Sequence, residues 1–295
     1  MRRLAVVAFI VLISCGPAPA QTQSVTPAGG ETLRLVFHQG TTYKFAFHAV
    51  DSLASGTDPA NHVEFTAQET AMIQSVDSTG IAEIALALNN LTAIRGGAGS
   101  PGDTGISRPP YNVTIAPDGR ILSMDGPPVA AKFPFRIGFD GSLIVAVLPD
   151  NSVKPGDSWT KTYDQVNPFG ASSGTLHIQS SSKYLRDEMV AGINAAVVET
   201  ISNATINSTE NLLPGASASP SYPGLPGGLV GFALTGTTST DVTTWIDPHT
   251  NRVLKTHVTA KTNAAISSVM APGAPTPTDA PIVGEADESV DLVLI

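Results

Sequence analysis

Cysteine is nearly absent: the 295-residue sequence has one, Cys15. From Gln21 onward no thiol remains, which excludes an intrachain disulfide and a thiolate nucleophile from that part of the chain. Charge is scarce as well, at 14% of residues, and unbalanced, with 16 Lys+Arg against 25 Asp+Glu. A formal charge of −9 argues against a nucleic-acid partner, which needs a basic patch, and no polybasic stretch offers itself to anionic lipid. Aromatic residues make up only 6%. The apolar run Leu4–Ile13 has ten residues, where a membrane-spanning helix needs roughly 20.

What is abundant is Gly (27), Pro (23), Ser, Thr and Val, a composition that favours exposed β-surface over helix. The first 20 residues read as an export signal: Arg2 and Arg3, then the apolar run, then Ala18-Pro19-Ala20 ahead of Gln21. A second reading of the same residues stands beside it. Leu12-Ile13-Ser14-Cys15-Gly16 resembles a lipoprotein lipobox, in which Cys15 carries the lipid. Membrane anchoring is expected only in that second case. Both readings place the chain outside the cytoplasm, in the periplasm, secreted, or lipid-anchored in the envelope. Without residues 1–20 the balance is 14 Lys+Arg to 25 Asp+Glu, a formal charge of −11.

Residues 21–30 read as a polar leader, and the remainder as an all-β protein with at most a minor helix. Thr240–Thr262 predicts two alternating strands around Asp247-Pro248-His249-Thr250-Asn251. Val242, Thr244 and Ile246 share a face of the first strand; Leu254, Thr256, Val258 and Ala260 share one of the second. Tyr111–Ser123 is a shorter hairpin of the same kind. Leu33, Leu35 and Phe37 alternate, as do Tyr43, Phe45 and Phe47, and Val63, Phe65, Ala67, Ala71 and Ile73, the last set interrupted by Glu69. Asp77-Ser78-Thr79-Gly80 and Arg186–Gly192 are expected turns. In the irregular stretch Gly126–Pro149, Phe133, Phe135, Ile137 and Phe139 alternate, and Ser142–Val147 suggests a short helix capped by Ser142. Glu285–Ile295 is a last strand, with Glu285, Asp287, Ser289 and Asp291 on its wet face. The order Gly turn, aromatic strand, long hairpin, Gly/Pro-rich loop and second hairpin occurs twice. This predicts two similar halves, 31–145 and 146–295, whose long curved antiparallel sheets form a sandwich or half-barrel.

Motifs for chemistry are weak. Gly170-Ala171-Ser172-Ser173-Gly174 has nucleophile-elbow spacing, but the alternating Thr175–Ile178 follows it where a helix is needed. Gly97–Gly102 matches a dinucleotide fingerprint and runs into Arg108-Pro109-Pro110 instead of a helix. The six histidines show no metal-ligand spacing, and no metal, cofactor or catalytic residue is assigned. The Asn-x-Ser/Thr sites at Asn90, Asn112, Asn203 and Asn207 are read as ordinary strand sequence. Glu69, on an otherwise apolar face, is expected at a sheet edge or a cavity mouth. Trp159 and Trp245 are expected core anchors. The stretch 211–232 carries Leu212, Leu213, Tyr222, Leu225, Leu229, Val230 and Phe232 among prolines and glycines. These are the candidate ligand-contacting or lid residues, with simple packing over a sheet end as the alternative.

Val153-Lys154-Pro155-Gly156-Asp157-Ser158-Trp159, followed by Asp247-Pro248-His249-Thr250-Asn251-Arg252-Val253, resembles an uncharacterised family of secreted bacterial β proteins. That family repeats V-x-x-G-D-x-W and D-x-x-T-x-x-V in this order; Asn251 stands where Gly is usual. The resemblance implies export and a β fold and brings no catalytic residues. A looser likeness is to the lipoprotein carriers of the bacterial envelope, whose curved sheets hold acyl chains. The expected function is that of an exported, non-catalytic protein binding a lipid or other apolar molecule, or else of a surface interaction module without a small-molecule site.

Overall fold

The computed structural model describes residues 30–55, 61–95, 110–125, 144–166, 175–211, 229–270, 273 and 281–295. Among them there is no helix. Eleven antiparallel strands form one sheet: β1 (Thr42–Ser55), β2 (Asn61–Val76), β3 (Ala82–Arg95), β4 (Tyr111–Ile115), β5 (Ile121–Asp125), β6 (Ser158–Val166), β7 (Thr175–Val190), β8 (Ile193–Asn211), β9 (Leu229–Asp247), β10 (Arg252–Met270) and β11 (Ile282–Leu294). Their spatial order is β5-β4-β3-β2-β1-β11-β10-β9-β8-β7-β6. Apart from β5 and β6, strands consecutive in sequence are neighbours in the sheet, and the one long-range pairing joins β1 to β11, Phe45 opposite Leu294 through Ser55 opposite Gly284. The sheet curls until β5 and β6 approach each other without a backbone ladder, giving a nearly closed barrel.

The period of two decides which side faces in. Phe45, Phe47 and Ala49 of β1, Ile84 and Leu86 of β3, Val242 and Ile246 of β9, and Val290 and Leu292 of β11 are buried in one interior cluster. Outside lie Lys44, Glu199, Thr237, Lys261 and Asp287, with the pairs His48–Glu64, His177–Asp164 and His257–Asp291 bridging neighbouring strands. The described wall is apolar inside and largely polar outside, with Met72, Ile94, Ile201 and Val283 among the exposed exceptions.

The two rims differ. At one end the strands join through tight turns. Asp77 Oδ1 accepts from the amides of Thr79 and Ile81, Ala191 and Gly192 take φ of 48° and 83°, and Asn251 closes β9–β10 at φ 55°. Positive φ at two successive central residues is the hairpin turn whose twist suits the flanking strands. The turn expected over Arg186–Gly192 is therefore only Ala191-Gly192. Arg186 and Glu188 instead pair along β7, after a bulge between Tyr184 and Arg186. All the long connections leave from the opposite rim.

Leu33 and Leu35 are buried as expected, but they do not extend the sheet. Residues 30–36 cross the tight-turn end. The Glu31 amide bonds the Val153 carbonyl at 2.6 Å, the Leu35 amide that of Pro117 at 2.7 Å, and the Val36 amide that of Asn251 at 3.1 Å. Tyr184, fully buried beneath this segment, donates its hydroxyl toward the carboxylates of Glu31 and Asp187. Burial first, then these acceptors, push its pKa far up, so the phenol stays neutral. The barrel therefore has a floor.

Two packing expectations change. Trp159 does pack on the core, its Nε1 donating to the Val147 carbonyl at 2.9 Å. Trp245 lies in a separate cluster with Ala195, Val197 and Leu254, with Lys255 Nζ 4.6 Å from its ring centre. A bulge between Val253 and Lys255 explains this. It turns Val253 inward opposite Ile246 and moves Leu254 from the face of Thr256 and Val258 to that of Trp245.

Trp159→Ala is expected to cost about 3–5 kcal/mol, because a large side chain and its hydrogen bond go together; a denaturant melt checks it. Gly236→Ala is expected to destabilise by about 1–3 kcal/mol or more. A Cβ there would lie 2.1 Å from the Asn263 carbonyl oxygen and 2.7 Å from Ala264 Cα, both backbone atoms that cannot swing away. A melting temperature at wild-type level would show that the close β9–β10 approach is dispensable.

Candidate functional site

The interior holds a second backbone. Residues 144–149 run extended inside the barrel, with Val145, Ala146, Val147 and Leu148 buried. The helix expected over Ser142–Val147 is not there at its described end, 144–147. β-branched Ile144, Val145 and Val147 disfavour it, and the wall supplies other partners for the amides. The Ala146 amide donates to Thr244 Oγ1 at 2.8 Å and the Val147 amide to Thr200 Oγ1 at 2.9 Å. The Leu148 amide donates to the Asp118 carbonyl at 2.9 Å. Each threonine is itself anchored in the wall, Thr244 on Thr256 at 2.9 Å and Thr200 on Ser182 at 2.8 Å. The hydroxyls satisfy a backbone that would otherwise be buried without partners, at a cost of roughly 1–3 kcal/mol per group. Gly119 permits the contact. A Cβ there would stand 2.7 Å from the Ala146 oxygen, and its φ is 87°.

Where β5 and β6 meet, side chains replace the missing ladder. Lys161 Nζ reaches Asp118 Oδ2 at 2.8 Å and Asp150 Oδ1 at 2.7 Å. Arg120 Nε meets Asp118 Oδ2 at 2.7 Å, and its guanidinium carbon lies 5.5 Å from the Tyr163 ring centre. Burial alone would raise the Asp118 carboxyl. The hydrogen bond and charge of Lys161, helped by Arg120, outweigh it and hold Asp118 below the ordinary aspartate value.

Beside this seam, between the interior segment and the long-loop rim, lies a cavity of about 70 Å³. Ile121, Leu176, Ile178 and Val242 give it an apolar wall, with Tyr163 and Gln165 among its polar groups. Burial pushes the Tyr163 phenol up to about 12.

Glu69 is not at an edge or a mouth. β2 lies between β1 and β3, where Glu69 stands opposite Phe45 and Leu88 with 0% exposure. Neither carboxylate oxygen has a hydrogen-bond partner. Desolvation alone raises its pKa from 4.5 to about 8, so at neutral pH it is a protonated acid in an apolar wall.

Of the candidate ligand residues, Leu229 and Phe232 belong to β9, opposite Met270 and Ser268, so they are strand residues and not part of a loop. Leu212, Leu213, Tyr222 and Leu225 lie outside the described residues, as do Cys15, Phe133–Phe139, the 97–102 stretch and the 170–174 motif. The residues missed in the sequence are inward-facing polar ones. Gln165 follows Trp159, Lys161 and Tyr163 at period two. Asp51 and Glu288 continue the apolar rows of β1 and β11, directly opposite each other. The alternation that found the core would have found them. Among the described residues no group of His, Cys, Asp or Glu is arranged to hold a metal ion.

The two perturbed carboxyls have opposite pH signatures. Glu69 binds a proton more tightly folded than unfolded, so its effect is absent below pH 4.5 and grows to about pH 8. The slope is a loss of about 1.4 kcal/mol per pH unit. Asp118 is depressed in the fold, so its stabilisation is full above the unfolded aspartate value and lost as pH falls through the folded one. Urea midpoints should fall from pH 5 to pH 8 in wild type and stay flatter in Glu69→Gln, while Asp118→Asn should flatten the acid side alone. No protein-family model matches this chain, and no curated protein is similar to it.

Proposed function

We propose that the protein is an exported, non-catalytic carrier that binds a lipid or other apolar molecule inside its barrel. The observation that carries this reading is the interior cavity, apolar-walled and lined by edge strand β6, in a barrel whose outside is largely polar. Ligand sites in barrels sit at the mouth or in the lumen, and here all the long connections gather at one rim. The leader sequence with its alternative processing sites supports an envelope location, free or anchored through Cys15.

A second reading, a structural or interaction module without a small-molecule site, is favoured by one feature. Residues 145–148 fill the lumen near the floor with their own side chains and hydrogen bonds. The cavity beside them, about 70 Å³, holds a few waters or one small group, whereas drug-sized ligands occupy roughly 300–1,000 Å³. A carrier must therefore use the loop end of the lumen as well.

Native mass spectrometry of protein purified from the periplasm, followed by solvent extraction, tests the two. A reproducible bound lipid mass is expected. A clean apo mass from folded protein would favour the module. The same spectrum tells a chain starting at Gln21 from one starting at an acylated Cys15.

A further inference from the structure

Resting on the carrier reading, we propose that the seam cavity holds the polar head of an uncharged amphiphile, an ester, amide or alcohol of a long-chain acid. Gln165 and Tyr163 are its recognition groups. Gln165 is 8% exposed and lines the cavity with its amide. Tyr163, two residues along the same inward row of β6, lines it too. An amide and a phenol facing the same small apolar-walled space can each hydrogen-bond a polar group placed in it. A ligand head offering one acceptor and one donor satisfies both.

The charge balance sets the class of head. Arg120 and Lys161 are the cations at the seam, and both are already bound to Asp118, with Asp150 also on Lys161. No free positive charge faces the cavity from these groups. A carboxylate or phosphate placed there would lose its hydration without a counter-ion, which costs several kcal/mol even after relaxation. A neutral head escapes that cost. Size agrees: about 70 Å³ takes a small polar group and not a whole chain. The chain has a track of its own, because Leu176, Ile178, Ala204 and Ile206, with Leu234 packed on them, form a second apolar cluster. Along β8 and β9 it runs toward the long-loop rim.

The test is displacement of the neutral fluorophore N-phenyl-1-naphthylamine from the full mature protein at pH 8. Monolauroylglycerol and laurate are the competitors, equal in acyl chain and different in head charge. Monolauroylglycerol is expected to displace the probe at a concentration at least tenfold below that of laurate. Gln165→Met, which keeps the volume and removes the amide, should abolish most of that preference, read as the ratio of the two competitors' displacing concentrations. Tyr163→Phe removes only a hydroxyl and should weaken monolauroylglycerol several-fold, so the head preference can still be read if Gln165→Met folds poorly. Laurate competing as well as the glyceride, or both variants keeping the wild-type preference, would overturn the assignment. Wild-type protein that binds neither probe nor lipid would instead overturn the carrier reading itself.

Discussion

The interior of this barrel is set by a problem of unsatisfied amides. A segment that enters an apolar lumen brings N–H groups that water can no longer reach, and each must find an acceptor. Residues 146–148 find theirs in Thr244, Thr200 and the Asp118 carbonyl, and the Val147 carbonyl accepts from Trp159. Inward threonines at mid-strand are therefore not polar noise on a greasy face. Their hydroxyls are the sheet's docking points for a chain that runs inside it. Hydroxyl-to-hydroxyl bonds to Thr256 and Ser182 tie those docking points to the next strand. Displacing the segment would strand its amides and take one bond each from Thr244 and Thr200. The lower lumen is accordingly a closed core, and any ligand is confined to the space above it.

Closure follows a related logic. β1 and β11 pair over eleven registered positions and join the sheet in the middle. The two outer strands are left as edges, and free edges invite pairing with other chains. Here the edges are short, five residues in β5 and nine in β6. They are turned toward each other and held by Asp118, Lys161, Arg120 and Tyr163. A side-chain clasp keeps the edges from other partners without a continuous ladder. It also leaves the wall at that line thinner than elsewhere, and the cavity lies against it.

Much of the wall was legible from residue order. Alternation at Phe45–Phe47 and at Phe65, Ala71 and Ile73 marks inward faces that the structure confirms, and Asp77–Gly80 forms the expected turn. What alternation could not supply was contact at a distance. The pairing of β1 with β11 joins residues about 250 positions apart, and nothing local announces it. Leu33–Phe37 alternates like a strand because one side of it is buried, yet the amides of Leu35 and Val36 bond to two separate turns, at Pro117 and Asn251, and not to a sheet neighbour. Residues 144–147 carry a helix cap signal upstream and β-branched side chains within, and the hydroxyls waiting in the wall decide between them. At Leu254 a single bulge defeats the period, since one extra residue moves a side chain to the other face.

Two inward polar residues, Glu69 and Gln165, look alike in sequence and differ in what surrounds them. Glu69 stands between Phe45 and Leu88 in the packed lower wall and keeps its proton at neutral pH. Its effect is a stability that falls as the medium becomes alkaline. Gln165 is almost as buried but borders open volume, where its amide can meet a molecule that enters. Packing, not polarity, separates a strained wall residue from a recognition group. That distinction is made by side chains from strands far apart in the chain, so an inward polar residue on β1, β2, β6 or β11 acquires its role only once the barrel has closed around it.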